Sequence, residues 1–122
     1  MEFLWTKEAS PPSFPALEGD RDTGVLIIGG GMAGVLCALQ LQEAGADYLL
    51  VEGAKIGGGM TRGTTAVLTA QHDTLYQDMI KKFGEEKAGL YLKANLRAVE
   101  QFRRRSRDIP CEFEERPSIM YS

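Results

Sequence analysis

Three glycines and one acid carry the chemistry most legible in this chain: Gly29, Gly31 and Gly34, followed by Glu52. The glycines follow the spacing G-x-G-x-x-G directly after the apolar run Val25-Leu-Ile-Ile. Gly29 allows a tight turn out of a strand. Gly31 lacks a side chain, so a diphosphate can approach the backbone, and Gly34 lets the following helix pack closely on a sheet. That helix points its unpaired N–H groups and the positive end of its dipole at the same diphosphate. Glu52 closes the next apolar run, Tyr48-Leu-Leu-Val, near the expected distance of about 20 residues. A carboxylate there accepts hydrogen bonds from both hydroxyls of an adenosine ribose and repels a 2′-phosphate, which disfavours NADP. The pattern is that of a site for the ADP half of a dinucleotide.

The elements that must position these residues follow from periodicity. Val25 to Ile28 is continuously apolar, as expected of a parallel strand covered on both faces. A helix is predicted over residues 33–44, with Val35, Ala38 and Leu41 on the face that meets the sheet and Gly45 ending it. A second strand is predicted over residues 47–52. The expected class is therefore α/β, a partial Rossmann-like βαβ unit. Next comes a loop too glycine-rich for regular structure, with Gly57, Gly58 and Gly59 in succession and hydroxyls at Thr61, Thr64 and Thr65. It leaves the C-terminal end of a strand, where ligands bind in open α/β folds.

Two helices are predicted beyond it, residues 74–83 ending at Gly84 and residues 85–107 ending before Pro110. Ala88, Tyr91, Leu92, Asn95, Val99 and Phe102 form the apolar stripe of the second. The cluster Arg103-Arg104-Arg105-Ser106-Arg107 reads as a solvated helix end. Residues 111–115 alternate like a half-buried strand, and residues 119–121 read as a second short one. Three prolines, Pro11, Pro12 and Pro15, forbid a long helix in the leader. Its apolar residues Leu4, Trp5, Phe14 and Leu17 fit either a segment pinned to the domain surface or a mobile tail.

Composition narrows the class. The chain has 122 residues and a net charge of −3, so one domain is the ceiling and nothing points to nucleic acid or an anionic membrane surface. No apolar run approaches the roughly 20 residues that span a bilayer. The N-terminus lacks the basic-then-apolar order of a signal peptide. Two cysteines, Cys37 and Cys111, make neither a disulfide framework nor a metal site, and the simplest compartment is a reducing cytoplasm. Cys37 is expected to sit inside its apolar helix as a small hydrophobe. His72, the one histidine, reads as a loop or capping residue rather than a general base, and Asp73 as a helix N-cap. No catalytic residue is assigned.

Residues 25–52, with the following Ile56-Gly-Gly-Gly-Met-Thr-Arg-Gly-Thr-Thr-Ala66, resemble the N-terminal part of FAD-dependent oxidoreductases of the D-amino-acid oxidase and glycine oxidase type. The stretch from Gly63 to His72 and the helix around residues 80–88 are similar to a bacterial subgroup that often carries a C-terminal Rieske iron–sulfur domain. The leader, with Trp5 and Phe14-Pro15, is similar too, so the resemblance covers nearly the whole chain.

It implies that Gly29, Gly31, Met32, Ala33 and Gly34 hold the FAD pyrophosphate and that Glu52 holds the ribose. It implies that Gly59, Met60 and Thr61 lie beside the phosphates and ribityl chain, and that Thr65 and Ala66 approach the flavin ring. The implied activity is hydride removal from the C–N bond of a small amine or amino acid. Family members are several hundred residues long, and no cysteine–histidine pairs for a Rieske cluster occur here. The chain therefore reads as an N-terminal fragment of a longer flavoenzyme. Its expected divisions are a leader (1–20), a partial FAD-binding domain (21–110) and the first strands of a substrate domain (111–122). Two other readings stay open: an NAD-binding module, and a fragment that binds no cofactor and self-associates through open sheet edges.

Overall fold

The two apolar runs form parallel strands, β1 (Val25–Ile28) and β2 (Tyr48–Val51), joined by the helix α1 (Met32–Glu43). This is a computed structural model, and residues 11–119 are described. The strands pair in register, Val25 with Tyr48 and Ile28 with Val51. The chain divides into two compact units between Thr65 and Ala66.

In the first unit, the strand pair is fastened at both ends by carboxylates. At the start, Asp47 accepts a hydrogen bond of 2.6 Å from the Gly24 N–H and one of 3.2 Å from the Thr23 hydroxyl. At the other end the ladder runs one residue past β1, where the Gly29 N–H donates to the Val51 carbonyl at 2.8 Å. Gly29 has φ +106°, a backbone conformation that side chains resist. The turn there is consequently tight, and α1 begins within three residues.

The helix ends as its sequence requires. Gly45, at φ +66°, donates to the Gln42 carbonyl, and Ala46 donates to that of Leu41. Those two bonds define a Schellman cap. Close packing of α1 on β1 rests on Gly34. A methyl built on it would lie 1.9 Å from the Gly29 carbonyl oxygen and 3.4 Å from Ile27 Cγ2.

The cover is one-sided, which corrects the expectation of a strand buried on both faces. Ile27, beneath α1, is buried, whereas its neighbours Leu26 and Ile28 point to the other face and are 53% and 82% exposed. Strand side chains alternate between faces, so one helix can shield only one of them. The apolar α1 shows the same shortage of partners. Ala38 and Leu41 are half-buried against the unit, but Val35 and Cys37 are exposed. Cys37 therefore does not sit in a core as expected.

The glycine-rich segment contains one turn of 3₁₀ helix (Met60–Gly63). The second unit holds the helices α2 (Leu75–Phe83) and α3 (Glu85–Ser106), which share Gly84 as C-cap and N-cap and pack on each other. Ala88 is buried there, and Tyr91, Asn95, Val99 and Phe102 are half-buried, as the stripe predicts; Leu92 lies nearer the surface. Glu85 and Glu86 begin α3 and Arg103 to Arg105 end it, both favourable to the helix dipole.

Residues 111–119 contain no strand. Glu112 has φ +50°, which interrupts an extended run, and no strand of the second unit offers an edge among the described residues. The segment is held instead by an ion pair of 2.6 Å from Arg103 to Glu115. Arg103 also binds Glu100, as does Arg104, so the basic cluster is partly engaged in ion pairs rather than simply solvated. Met120 and Tyr121 of the second expected strand, and Leu4 and Trp5 of the leader, lie outside the described residues.

The Gly34 contact gives a direct test. Gly34→Ala must push α1 off the turn, because the atom it meets is backbone. The expected cost is about 1–3 kcal/mol, read as a lower denaturation midpoint. Ala38→Gly, a substitution away from that contact, supplies the reference for a change in helix propensity alone.

Candidate functional site

The turn after β1, the first turn of α1 and the loop after β2 meet in the first unit. Glu52 joins them. One carboxylate oxygen accepts the Gly30 N–H at 2.7 Å and the other accepts the Ala54 N–H at 2.9 Å. These bonds, that from Gly30 first, hold the carboxyl below its ordinary value of 4.5. The loop returns to the turn twice more. The Gly57 N–H donates to the Gly30 carbonyl at 2.8 Å, and Thr61 Oγ1 accepts the Met32 N–H at 2.9 Å. α1 has no cap from its own N-cap residue, Gly31. Thr61 does that work from 29 residues further along the chain.

The glycines separate by what they touch. A methyl on Gly30 would meet Ile56 Cδ1 at 2.3 Å, and one on Gly34 would meet backbone, so the chain's own packing requires both. Gly31 differs. Its φ of −75° suits any residue, and a methyl there would meet only Thr61 Oγ1 at 3.5 Å, an ordinary contact. The fold leaves open the space in front of the helix N-terminus, and a side chain at position 31 would fill it. Backbone N–H groups at such a place suit a diphosphate. The residues present therefore fit a dinucleotide: an open glycine, a helix N-terminus and an ionised acid at the strand end.

Sequence reasoning named most of these positions. Gly29, Gly31, Met32, Ala33, Gly34, Glu52 and Thr61 come together in the first unit. Gly59 and Met60 enter the 3₁₀ turn, and the Met60 side chain is 90% exposed. Thr65, exposed, ends the first unit, and Ala66 begins the second with φ +56°. Gly30 was missed. It is buried and bonded through both its N–H and its carbonyl. The run of three glycines was the available signal.

His72 and Asp73 lie in the second unit. His72 packs with Tyr76 and Tyr91, ring centroids 6.1 and 6.0 Å away, and its carbonyl accepts the Leu75 N–H. Its Nδ1 is buried without a hydrogen-bond partner among the described residues. Asp73 is not the cap of α2. Thr74 holds that place, and Asp73 sits at φ +41° just before it. Among the described residues no cluster of histidine, cysteine and acid side chains could hold a metal, and no helix is long and apolar enough to cross a membrane.

Comparison with known proteins agrees with this geometry. Residues 24–122 match the family model described as FAD dependent oxidoreductase. The chain is similar to the putative Rieske 2Fe-2S iron-sulfur protein YhfW of Bacillus subtilis, 37% identical over 99% of this chain and 24% of that protein. It is also similar to the probable oxidoreductase OrdL of Rhizobium meliloti, 36% identical over 47% of this chain and 14% of that protein. A third relative is the 2-heptyl-3-hydroxy-4(1H)-quinolone synthase of Pseudomonas aeruginosa, 41% identical over 58% of this chain and 19% of that protein. The chain thus spans about a quarter or less of the length of these relatives. No solved structure gives a significant match.

The depressed Glu52 carboxyl sets a pH dependence. Its two backbone bonds favour the charged form, so their contribution to stability is complete above the unfolded carboxylate range and is lost as pH falls through the lower folded value. Denaturation midpoints should show this component intact down to about pH 5 and declining below 4.5. The difference between wild type and Glu52→Gln isolates it: that difference should shrink on acidification. A difference independent of pH would show that the charge does not hold the turn.

Proposed function

The chain belongs to the FAD-dependent oxidoreductase family, and from that premise we propose that its first unit binds the ADP half of FAD in a flavoenzyme that oxidises amines or amino acids. The observation that carries this reading is the open face of Gly31 at the N-terminus of α1, with the Glu52 carboxylate beside it. Ala33, in the first turn of α1, supplies an N–H group and the positive dipole end for the pyrophosphate, and Met32, whose N–H is held by Thr61 Oγ1, fixes that turn beside it. Glu52 keeps its remaining lone pairs for the ribose hydroxyls, since each carboxylate oxygen accepts more than one hydrogen bond. Thr61 fixes the loop against α1 and presents its hydroxyl beside the phosphates. Gly59, Met60, Thr65 and Ala66 belong to the stretch that the family resemblance carries towards the ribityl chain and the ring.

When bound, FAD supplies the hydride acceptor for oxidation of a C–N bond, and the protein supplies its place and its electrostatic surroundings. An NAD-binding module would share the turn and the acid. The loop over residues 53–63, tied back to the turn through Gly57 and Thr61, favours FAD. The two free, exposed cysteines suit a reducing compartment.

Titration of the chain with FAD, followed by flavin fluorescence, tests the assignment. Saturable binding reversed by ADP is expected, with NAD competing no better than ADP does, and Glu52→Ala should weaken it about tenfold or more. NAD competing much better than ADP would favour the nicotinamide reading.

A second reading has its own observation. Leu26 and Ile28 are exposed on one face of the sheet, and a two-stranded sheet has two open edges. Self-association through this surface should appear in sedimentation as a concentration-dependent mass. Ile28→Lys should return the chain to monomer without weakening ADP binding. A monomeric wild type would end this reading.

A further inference from the structure

A cleft of 1340 Å³ in the first unit has Glu52 in its lining, with Gly53, Ala54 and Lys55 following on the same wall. Residues 11–17 of the leader also line it. Among the described residues Phe14 is the one aromatic side chain in this lining, and it is 68% exposed. Pro11, Pro12 and Pro15 flank it. Proline fixes φ, so this stretch of leader loses less freedom on ordering than an ordinary tail.

Resting on the assignment of Glu52 to the ribose, we propose that residues 11–17 form one wall of the base pocket and that Phe14 stacks on the adenine ring of the bound nucleotide. The connectivity of the ligand requires the base to lie close to Glu52. Adenine is attached directly to the ribose that Glu52 binds, so the base must occupy the cleft that Glu52 and Ala54 line. The opposite pole of the nucleotide is fixed by the diphosphate at Gly31 and α1. A purine offers two flat apolar faces, and the ordinary partner for such a face is an aromatic ring with one side open. Phe14 supplies that ring. The remaining apolar lining, Leu17 and Ile56 among it, shields the edges of the base from water. The stretch 11–17 is thus neither a free tail nor a purely structural strap. It is a specificity element, selecting a purine nucleotide over a bare sugar diphosphate.

Calorimetric titration of the full chain with ADP and with ribose 5-diphosphate, which lacks the base, tests this. Wild type should bind ADP more tightly. Phe14→Ala should weaken ADP about tenfold, in line with loss of one base–aromatic stack, and leave ribose 5-diphosphate unchanged. Phe14→Trp should restore ADP binding. If Phe14→Ala leaves ADP affinity intact while Glu52→Ala lowers it, the nucleotide site stands and the role of Phe14 is wrong. If Phe14→Ala weakens both ligands equally, the leader acts only by supporting the fold, and the proposal is again overturned. If wild type binds neither ligand, the assignment of Glu52 fails and this inference fails with it.

Discussion

The first unit depends on one carboxylate. Glu52 ends β2 and takes the N–H of Gly30 on one oxygen and that of Ala54 on the other. The first bond joins two segments 22 residues apart, the turn after β1 and the end of β2. The second bends the chain sharply after the strand and starts the loop that returns to cap α1. A turn of three glycines has little to hold its shape, since glycine loses the most freedom on folding. An ionised acceptor gives stronger bonds to backbone N–H groups than a neutral one does. The acid therefore organises the empty turn through the same group that is proposed to read the ribose. Structure and recognition draw on different lone pairs of one side chain.

Two further bonds complete the arrangement. Gly57 holds the loop to the Gly30 carbonyl, and Thr61 covers the first N–H of α1. Each ties a residue of the loop to the turn or to the helix. The result is a rim in which Gly31 is left without any packing demand of its own. Among the glycines of the turn, Gly29 answers to backbone conformation, Gly30 and Gly34 to neighbouring atoms, and Gly31 to an incoming ligand. That division gives the fingerprint its physical content in this chain.

Much of this was legible in the sequence because it is local. The runs Val25–Ile28 and Tyr48–Val51, the end of α1 at Gly45, the break between α2 and α3 at Gly84 and the stripe along α3 all follow from neighbours within one or two turns. The failures share the opposite cause. Whether Leu26, Ile28 and Cys37 are covered depends on elements elsewhere in the fold, and here they are exposed. The alternation at residues 111–115 resembles a strand, but pairing needs an edge that a pattern cannot supply. The capping of α1 by Thr61 and the bonding of Gly30 to Glu52 are long-range and leave no periodic trace. Asp73 is a good cap by type, yet its positive φ sets Thr74 at the helix start instead.

Recognition of the nucleotide depends on which backbone groups meet the diphosphate. Amide chemical shifts of the isotopically labelled chain, recorded as ADP is added, test this directly. The largest changes are predicted at Gly31, Met32 and Ala33, with smaller ones at Gly30 and Ala54 as Glu52 takes up the ribose, and little change across residues 75–106. Saturable shifts confined to α2 and α3, or a folded chain whose glycine-turn amides do not respond to ADP, would contradict it.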